Sequence, residues 1–211
     1  MNVMQNGTSK ASIAVFLDRD GTLNQEKGYI RNLDDLALIA GAARAVKALN
    51  DYQVLAILTT NQTGAARGFY SEDHINALNA RVSALLLRET GARLDAVYYC
   101  PHWAKSTMAH YAIACRCRKP EPGMIESACQ AFPAIDCSRS YVIGDKASDV
   151  MFAKNTGCKS ILVKTGYGQR VLDGKYQVLE QQPDYICENT EEAVFQVILP
   201  AVIGYSPDEC Q

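Results

Sequence analysis

Short apolar runs alternate with amphipathic segments along this chain, and that alternation is the feature that most constrains its fold. Residues 42–50, 71–89 and 123–132 show the apolar periodicity of helices. A further short strand is predicted at 185–187 and a helix at 190–203. Alternating strands and helices predict an α/β fold with a doubly wound, mostly parallel sheet of the Rossmann type, whose ligand site lies at the carboxyl ends of the strands. The runs with the length and residue types of buried strands are 12–17, 53–59, 94–99, 140–143 and 160–164.

Size and charge limit the classes of protein to which this chain can belong. With 211 residues, 48% of them hydrophobic, it fits a single domain spanning 1–211 better than two domains. A net charge of −2 gives no general attraction to nucleic acid or to an anionic membrane, so we expect neither as a partner. Residues 1–10 lack the apolar core of an export signal, and no apolar run reaches the length of about 18 residues that a membrane span needs. We therefore expect a cytoplasmic monomer whose cysteines are reduced.

Paired aspartates follow the first predicted strand. Asp18 and Asp20 are two residues apart in an extended segment, so their side chains can face the same way. Such a pair alone is more often an ordinary turn than a site. Asp145 and Asp149 follow a later predicted strand, and the carboxyl ends of parallel strands meet at one edge of a sheet. The four carboxylates together predict a Mg²⁺ site that includes Asp18 and Asp145, with Asp149 binding directly or through water.

Two further segments carry groups suited to binding phosphate. Thr60, Asn61, Gln62 and Thr63 follow the second predicted strand and supply hydroxyl and amide groups. Arg118 and Lys119 offer a forked guanidinium and a point charge that can neutralise an anion. Taken singly, the first segment is a turn and the second a solvated basic loop. On neighbouring strand ends they predict a phosphate site.

The long segment 100–117 carries four potential ligands for tetrahedral Zn²⁺, namely Cys100, His102, Cys115 and Cys117. Each pair is separated by a single residue, which is tighter than the usual zinc-finger spacing, so unligated thiols are an equal alternative. His110 is a competing ligand within the same loop. A disulfide between Cys115 and Cys117 would be strained and out of place in a reducing compartment.

In this order, these elements resemble the haloacid dehalogenase (HAD) superfamily of aspartate-nucleophile phosphatases, over residues 13–165. The resemblance implies that Asp18 attacks phosphorus and that Asp20 protonates the leaving oxygen and later activates water. It also implies that Thr60 and Lys119 stabilise the transferring phosphoryl group. Mg²⁺ would be bound by Asp18, the backbone carbonyl of Asp20, and Asp145.

The paired cysteine motifs, with Arg118 and Lys119 directly after the second, resemble one branch of that superfamily, the phosphatases of heptose bisphosphates and of histidinol phosphate. The resemblance implies a structural Zn²⁺ in a loop that stands in place of a large cap. It further implies removal of the 7-phosphate from a small sugar bisphosphate, D-glycero-D-manno-heptose 1,7-bisphosphate, in the carbohydrate metabolism of lipopolysaccharide. The substrate contacts it implies are Glu26, Lys27, Gly28, Tyr29, Asn61, Gln62, Thr63, Arg118 and Lys146.

Three other functions stay open on the sequence. Histidinol phosphate would use the same catalytic residues but requires a pocket for a cationic amine and an imidazole. A polynucleotide 3′-phosphatase also uses paired aspartates, although the acidic net charge and the lack of a basic stripe count against extended nucleic-acid binding. A non-catalytic, zinc-stabilised interaction module is the third, because a fold does not guarantee activity.

Overall fold

The computed structural model describes residues 12–204, so the N-terminal segment considered for an export signal and the tail beyond 204 lie outside the described residues. Six strands form one sheet in the order β3-β2-β1-β4-β5-β6, and every neighbouring pair is parallel. The predicted parallel α/β sheet is therefore confirmed. The strands are β1 (Ala14–Leu17), β2 (Leu55–Asn61), β3 (Ala96–Cys100), β4 (Tyr141–Gly144), β5 (Lys159–Val163) and β6 (Tyr185–Cys187).

Helices connect the strands, with boundaries one or two residues from most of those predicted. The C-terminal helix is continuous but irregular, because a π-helical stretch lies within it. Short 3₁₀ turns occur at Leu33–Asp35 and Cys137–Arg139. The helices are α1 (Ala42–Asp51), α2 (Glu72–Thr90), α3 (Gly123–Ala131), α4 (Ala147–Thr156), α5 (Gly168–Leu172), and α6 (Thr190–Glu192), which continues through the π-helical Ala193–Ile198 into α7 (Leu199–Ile203).

Local capping explains where α2 begins and ends. The Ser71 side chain accepts a hydrogen bond from the backbone N–H of His74, and Glu72 and Asp73 complement the positive end of the helix dipole. Gly91 ends the helix in a left-handed conformation, with φ of 75°. Both ends agree with the sequence prediction.

The core lies on both faces of the sheet. Along β1, Val15 and Leu17 pack in the core beneath α1, α2 and the C-terminal helix, whereas Ala14 and Phe16 pack on the opposite face with residues of α3 and α4. All four side chains are completely buried, because β1 lies at the centre of the sheet with helices on both sides. This double burial is why the strand is apolar at every position rather than alternating.

The strand order places the expected ligand site beside β1. From β1 the chain winds outward through β2 and β3 on one side, and then returns through β4, β5 and β6 on the other. Ligand sites in doubly wound sheets lie at this reversal, outside the carboxyl ends of the strands. Within 12–204 the structure holds no helix that is both long and apolar enough to cross a membrane.

Adjacent leucines on α2 provide a test of this packing. Leu86 is fully buried in the core, whereas Leu87 is 51% exposed. We expect Leu86→Ala to lower the free energy of unfolding by about 2–5 kcal/mol, because it removes buried contacts and leaves a cavity, and Leu87→Ala to lower it by less than about 1 kcal/mol. Urea denaturation followed by circular dichroism measures both. Equal losses in the two variants would show that α2 packs differently.

Candidate active site

Three buried carboxylates converge at the carboxyl edge of the sheet. Asp18 follows β1, Asp145 follows β4, and Asp149 lies in the first turn of α4. One oxygen of each lies within 4.8 Å of the others. The structure thus brings together the aspartates that the sequence placed on separate strand ends.

Two lysines lie among these carboxylates. Lys119 Nζ is 2.8 Å from Asp18 Oδ1 and 2.5 Å from Asp149 Oδ1. Lys146 Nζ is 3.0 Å from Asp145 Oδ1 and 3.4 Å from Glu26 Oε2. Four carboxylates therefore share two ammonium groups, so the fully ionised cluster has a net charge of −2. A divalent cation would balance this charge.

The pKa values reflect this imbalance. Burial has the largest effect on the pKa of Asp18 and would raise it, but Lys119 and Lys146 together outweigh burial and hold it below its ordinary value. At Asp145, burial outweighs the attraction of Lys146 and raises the pKa to about 7. Burial alone would lower the pKa of Lys119, but its partners Asp149 and Asp18 hold it above its ordinary value. Burial also raises the pKa of Asp149 despite the attraction of Lys119. The negative charges of Asp145 and Asp149 are thus incompletely compensated, and carboxylate oxygens are of the type that Mg²⁺ prefers, so the residues present fit this ion.

Two glycines allow the backbone to approach Asp145 closely. A Cβ at Gly21 or at Gly166 would lie 2.2 Å from Asp145 Oδ2, and both residues have positive φ, 85° and 58°. The same oxygen accepts a hydrogen bond of 2.8 Å from the backbone N–H of Tyr167. The orientation of Asp145 therefore depends on two positions that only glycine fits.

Asp20 lies in a separate network of side chains. Its carboxylate accepts hydrogen bonds from Arg19 and Gln62 at Oδ2, over 2.9 and 2.8 Å, and from Asn24 at Oδ1, over 2.9 Å. Arg19 is only 1% exposed and also donates to Asn79 Oδ1. Arg19 was not predicted as a site residue, since its partner on α2 is distant in the chain.

A cavity of about 450 Å³ opens above these groups. Gln62 lines it, but its amide is already bonded to Arg19, Asp20 and Thr60. The predicted residues that line the cavity are Asp18, Asp20, Glu26, Gly28, Tyr29, Thr60, Asn61, Gln62, Thr63, Arg118, Lys119 and Lys146.

Lys27 is the predicted substrate contact that the structure does not place in this cavity. Its Nζ donates a hydrogen bond of 2.8 Å to the Asp35 carbonyl oxygen, and the residue lines a neighbouring cleft instead. The side chain of Lys27 turns back onto the 3₁₀ turn, and its role as a substrate contact stays a prediction.

The cavity also has walls that sequence reasoning missed. Tyr167 and Tyr176 stack with ring centroids 4.2 Å apart and an interplanar angle of 10°. No motif marks this segment, although the tyrosines that flank α5 were a visible signal. The additional lining residues are Arg67, Pro120, Ser148, Tyr167, Tyr176 and Gln177, and Asp149, which the sequence predicted as a metal ligand, also lines the cavity.

The predicted zinc ligands are gathered in one place. Ligand atoms of Cys100, His102, Cys115 and Cys117 all lie within 4.8 Å of one another, with Sγ–Sγ distances of 3.2–3.4 Å and His102 Nδ1 3.2 Å from Cys117 Sγ. The thiols are free, and His110 lies outside the cluster with its ring against Tyr111. Three soft sulfurs and one imidazole nitrogen in a compact group are a donor set that fits tetrahedral Zn²⁺.

The 100–117 loop also helps to position Arg118 and Lys119, the two cations that follow it. The Arg118 guanidinium donates to the His102 carbonyl over 3.2 Å. Asn61 accepts from the Lys119 N–H and donates to the Lys119 carbonyl, both over 3.1 Å. Glu72 accepts hydrogen bonds from the hydroxyls of Tyr99 and Tyr111, both over 2.9 Å, and so joins the loop to α2. The loop and the end of β2 together position Lys119.

Comparisons with known proteins agree with this geometry. A family model described as HAD-hydrolase-like matches residues 116–193. The D-glycero-D-manno-heptose-1,7-bisphosphate 7-phosphatase of Thermosynechococcus vestitus is 50% identical over 184 residues, which cover 86% of this chain and 93% of that protein. The D-glycero-beta-D-manno-heptose-1,7-bisphosphate 7-phosphatase of Escherichia coli K12 is 38% identical over 160 residues, 75% of this chain and 82% of that protein.

A solved structure has a similar fold over most of the chain. The crystal structure of D,D-heptose 1,7-bisphosphate phosphatase from B. bronchiseptica, complexed with magnesium and phosphate, has a TM-score of 0.76 and 28% sequence identity. The match covers 88% of this chain and 98% of that one.

Gly21→Ala tests the dependence of the site on Asp145. The added methyl group would displace the carboxylate, and displacements of this size near reacting groups lower rates by about 100-fold, so we expect kcat/KM to fall by that amount. The backbone strain itself lowers the free energy of unfolding by about 1–2 kcal/mol.

Gly157→Ala is the matched control, since Gly157 has φ of 73° but nothing within 4 Å of an added Cβ. It should lose similar stability and keep its activity with a phosphate ester substrate. If both variants lose activity equally, the effect comes from general destabilisation rather than from Asp145.

Proposed function

The chain belongs to the family of HAD-like hydrolases that contains the heptose bisphosphate 7-phosphatases, and we propose that it removes the 7-phosphate of D-glycero-D-manno-heptose 1,7-bisphosphate through an aspartyl-phosphate intermediate. The observation that carries this proposal is the buried Asp18–Lys119 pair at the floor of a cavity that also presents arginines. The named relatives, which match most of their length, support the same substrate.

Asp18 is the proposed nucleophile. Lys119 keeps the Asp18 carboxylate ionised and beside the cavity. From there an oxygen of Asp18 can attack the phosphorus in line with the leaving oxygen. The P–O bond to the sugar breaks as the bond to Asp18 forms, which gives a mixed anhydride. Water then hydrolyses that anhydride, so one difficult displacement becomes two easier ones.

Asp20 is the proposed acid and base. Among Asp18, Asp20, Glu26 and Asp149, the carboxylates that line the cavity, Asp20 is the one not bound to lysine. Its position two residues after the nucleophile allows it to protonate the leaving sugar oxygen and then to accept a proton from the attacking water. Asn24 and Gln62 hold it in place for both steps.

Thr60 and Lys119 are the proposed stabilisers of the transferring phosphoryl group. Both line the cavity, and Lys119 is held against Asp18 by the Thr59 carbonyl and by Asn61. Mg²⁺, held by Asp18, Asp145 and the backbone carbonyl of Asp20, would offset negative charge on the phosphate oxygens when bound. Preorganised positive charge of this kind acts without rearrangement during the reaction.

Zn²⁺ at Cys100, His102, Cys115 and Cys117 is proposed to be structural. All four ligands come from the protein, which leaves no open position for a reacting water. A closed site would brace the 100–117 loop and thereby position the Arg118 that follows it. The single domain, the cytoplasmic location and the monomeric state stay predictions.

Substrate choice separates this function from its nearest rival. Arg67 and Arg118 line the cavity, and these cations favour a second phosphate over the cationic amine of histidinol phosphate. We expect kcat/KM for the heptose bisphosphate to exceed that for histidinol phosphate by about 100-fold or more, as measured by phosphate release with Mg²⁺. A preference for histidinol phosphate would reverse the assignment.

Asp18→Asn tests the nucleophile. It keeps the shape of the side chain but removes the attacking charge, so kcat should fall by about 1,000-fold or more. The wild-type protein should bind beryllium fluoride with Mg²⁺ as an aspartyl-phosphate mimic, and the variant should not. Asp51→Asn, at an exposed helix end, is the control and should retain full turnover. Turnover of Asp18→Asn at the wild-type rate would eliminate the covalent mechanism.

Cys115→Ala tests the role of zinc. Zinc content should fall, the thermal midpoint should drop by roughly 5–10 °C, as a loss of about 2–3 kcal/mol produces, and kcat/KM should fall in parallel. Cys129→Ala is the control, because Cys129 is half-buried but lies outside the four-ligand cluster. A Cys115→Ala protein with full zinc and full turnover would contradict the structural role.

A further inference from the structure

Arg67 differs from the two lysines of the cavity in its contacts. Its guanidinium carbon lies 3.8 Å from the ring centroid of Trp103 and 5.8 Å from that of Tyr29. Its Nε donates to Thr63 Oγ1 over 3.4 Å. Lys119 and Lys146 each bind carboxylates, whereas among residues 12–204 Arg67 is in no ion pair. A cavity-lining guanidinium between two aromatic rings therefore retains N–H donors for an anion.

The segment that carries Arg67 is held firmly. Ala65 and Ala66 are buried at 2% and 1% exposure in a small apolar cluster that includes Tyr111 of the 100–117 loop. Ser106 of the same loop donates a hydrogen bond of 2.6 Å to the Ala66 carbonyl. The ring of Tyr70 covers Gly64 so closely that a Cβ there would lie 2.0 Å from it. The backbone that carries Arg67 is thus already fixed, so binding of a ligand costs little conformational entropy there.

Arg67 and Arg118 are both anchored on the 100–117 loop. Arg67 stacks on Trp103, and Arg118 donates a hydrogen bond to the carbonyl of His102, the residue before Trp103. Both guanidiniums line the cavity that contains Asp18, yet among the described residues neither pairs with its carboxylates. The cavity therefore has two lysines that are paired with carboxylates and two arginines that are not.

We propose that Arg67 binds the phosphate that is not hydrolysed, and so makes the enzyme select a sugar bisphosphate over the corresponding monophosphate. This inference rests on the proposed function. The two phosphates of a heptose 1,7-bisphosphate occupy opposite ends of a seven-carbon sugar, so one cluster of cations cannot bind both. A planar guanidinium can donate two parallel hydrogen bonds to phosphate while its face stays on Trp103.

Arg67→Gln tests the proposal with two substrates, the heptose 1,7-bisphosphate and the heptose 7-phosphate. We expect kcat/KM for the bisphosphate to fall by about 10- to 100-fold, mostly through KM, as loss of a charged hydrogen bond produces. For the 7-phosphate the change should stay within about 3-fold, because that substrate lacks the bound group. Arg67→Lys should recover part of the loss. Arg88→Gln, an exposed arginine near the far end of α2, is the control and should match the wild type.

The only tryptophan of the chain gives a direct binding signal. In Asp18→Asn, which binds without turnover, the bisphosphate should change Trp103 fluorescence and the 7-phosphate should not. The double variant with Arg67→Gln should lose that response. These results would support Arg67 as a binding group for the second phosphate.

Two outcomes overturn the inference, and they are distinguishable. If Arg67→Gln lowers kcat/KM for both substrates equally, Arg67 shapes the site rather than selecting the bisphosphate, while the proposed function stands. If the wild-type protein hydrolyses neither substrate, the proposed function fails and the inference fails with it.

Discussion

The buried ammonium of Lys119 is the group on which the rest of the site depends. Its Nζ lies 2.8 Å from Asp18 and 2.5 Å from Asp149, although the residue is only 4% exposed. A lysine charge removed from water requires a partner, and two buried carboxylates repel each other unless a cation lies between them. The three groups therefore require one another. They join the end of β1, the start of α4 and the segment after the 100–117 loop, so assembly of the charges and assembly of the fold are one event.

The 100–117 loop connects the chemistry to recognition. A loop of this length with a small apolar cluster of its own gains little from burial to offset its ordering. The hydrogen bonds to Glu72 supply part of the difference, and the proposed Zn²⁺ would supply the rest when bound. From one stretch of the loop, His102 and Trp103 position Arg118 and Arg67. Loss of the metal would therefore disturb both binding and catalysis without removing any group that reacts.

The sequence predicted those parts of the site that follow from topology. Asp18 and Asp145 converge because parallel strands end at the same edge, and this needs no knowledge of side-chain contacts. Contacts between distant segments were not predictable. The direction of Lys27 is decided by the carbonyl of Asp35, and the availability of Arg67 is decided by rings from two other loops. Local sequence patterns predict where strands end, but they do not predict the rotamers of long cationic side chains.

Selectivity in this pocket follows from the arrangement of charge more than from enclosure. Side chains such as the stacked Tyr167 and Tyr176 form its wall, and the cavity of about 450 Å³ suits a small, elongated molecule. At its floor, the charges of Lys119 and Lys146 are committed to carboxylates, so a phosphate there gains stabilisation mainly as its charge shifts toward the transition state. At the rim, a guanidinium without a carboxylate partner binds ground state and transition state alike. A substrate with an anion at each end is thus held at one end and transformed at the other, whereas a monophosphate obtains only the second interaction.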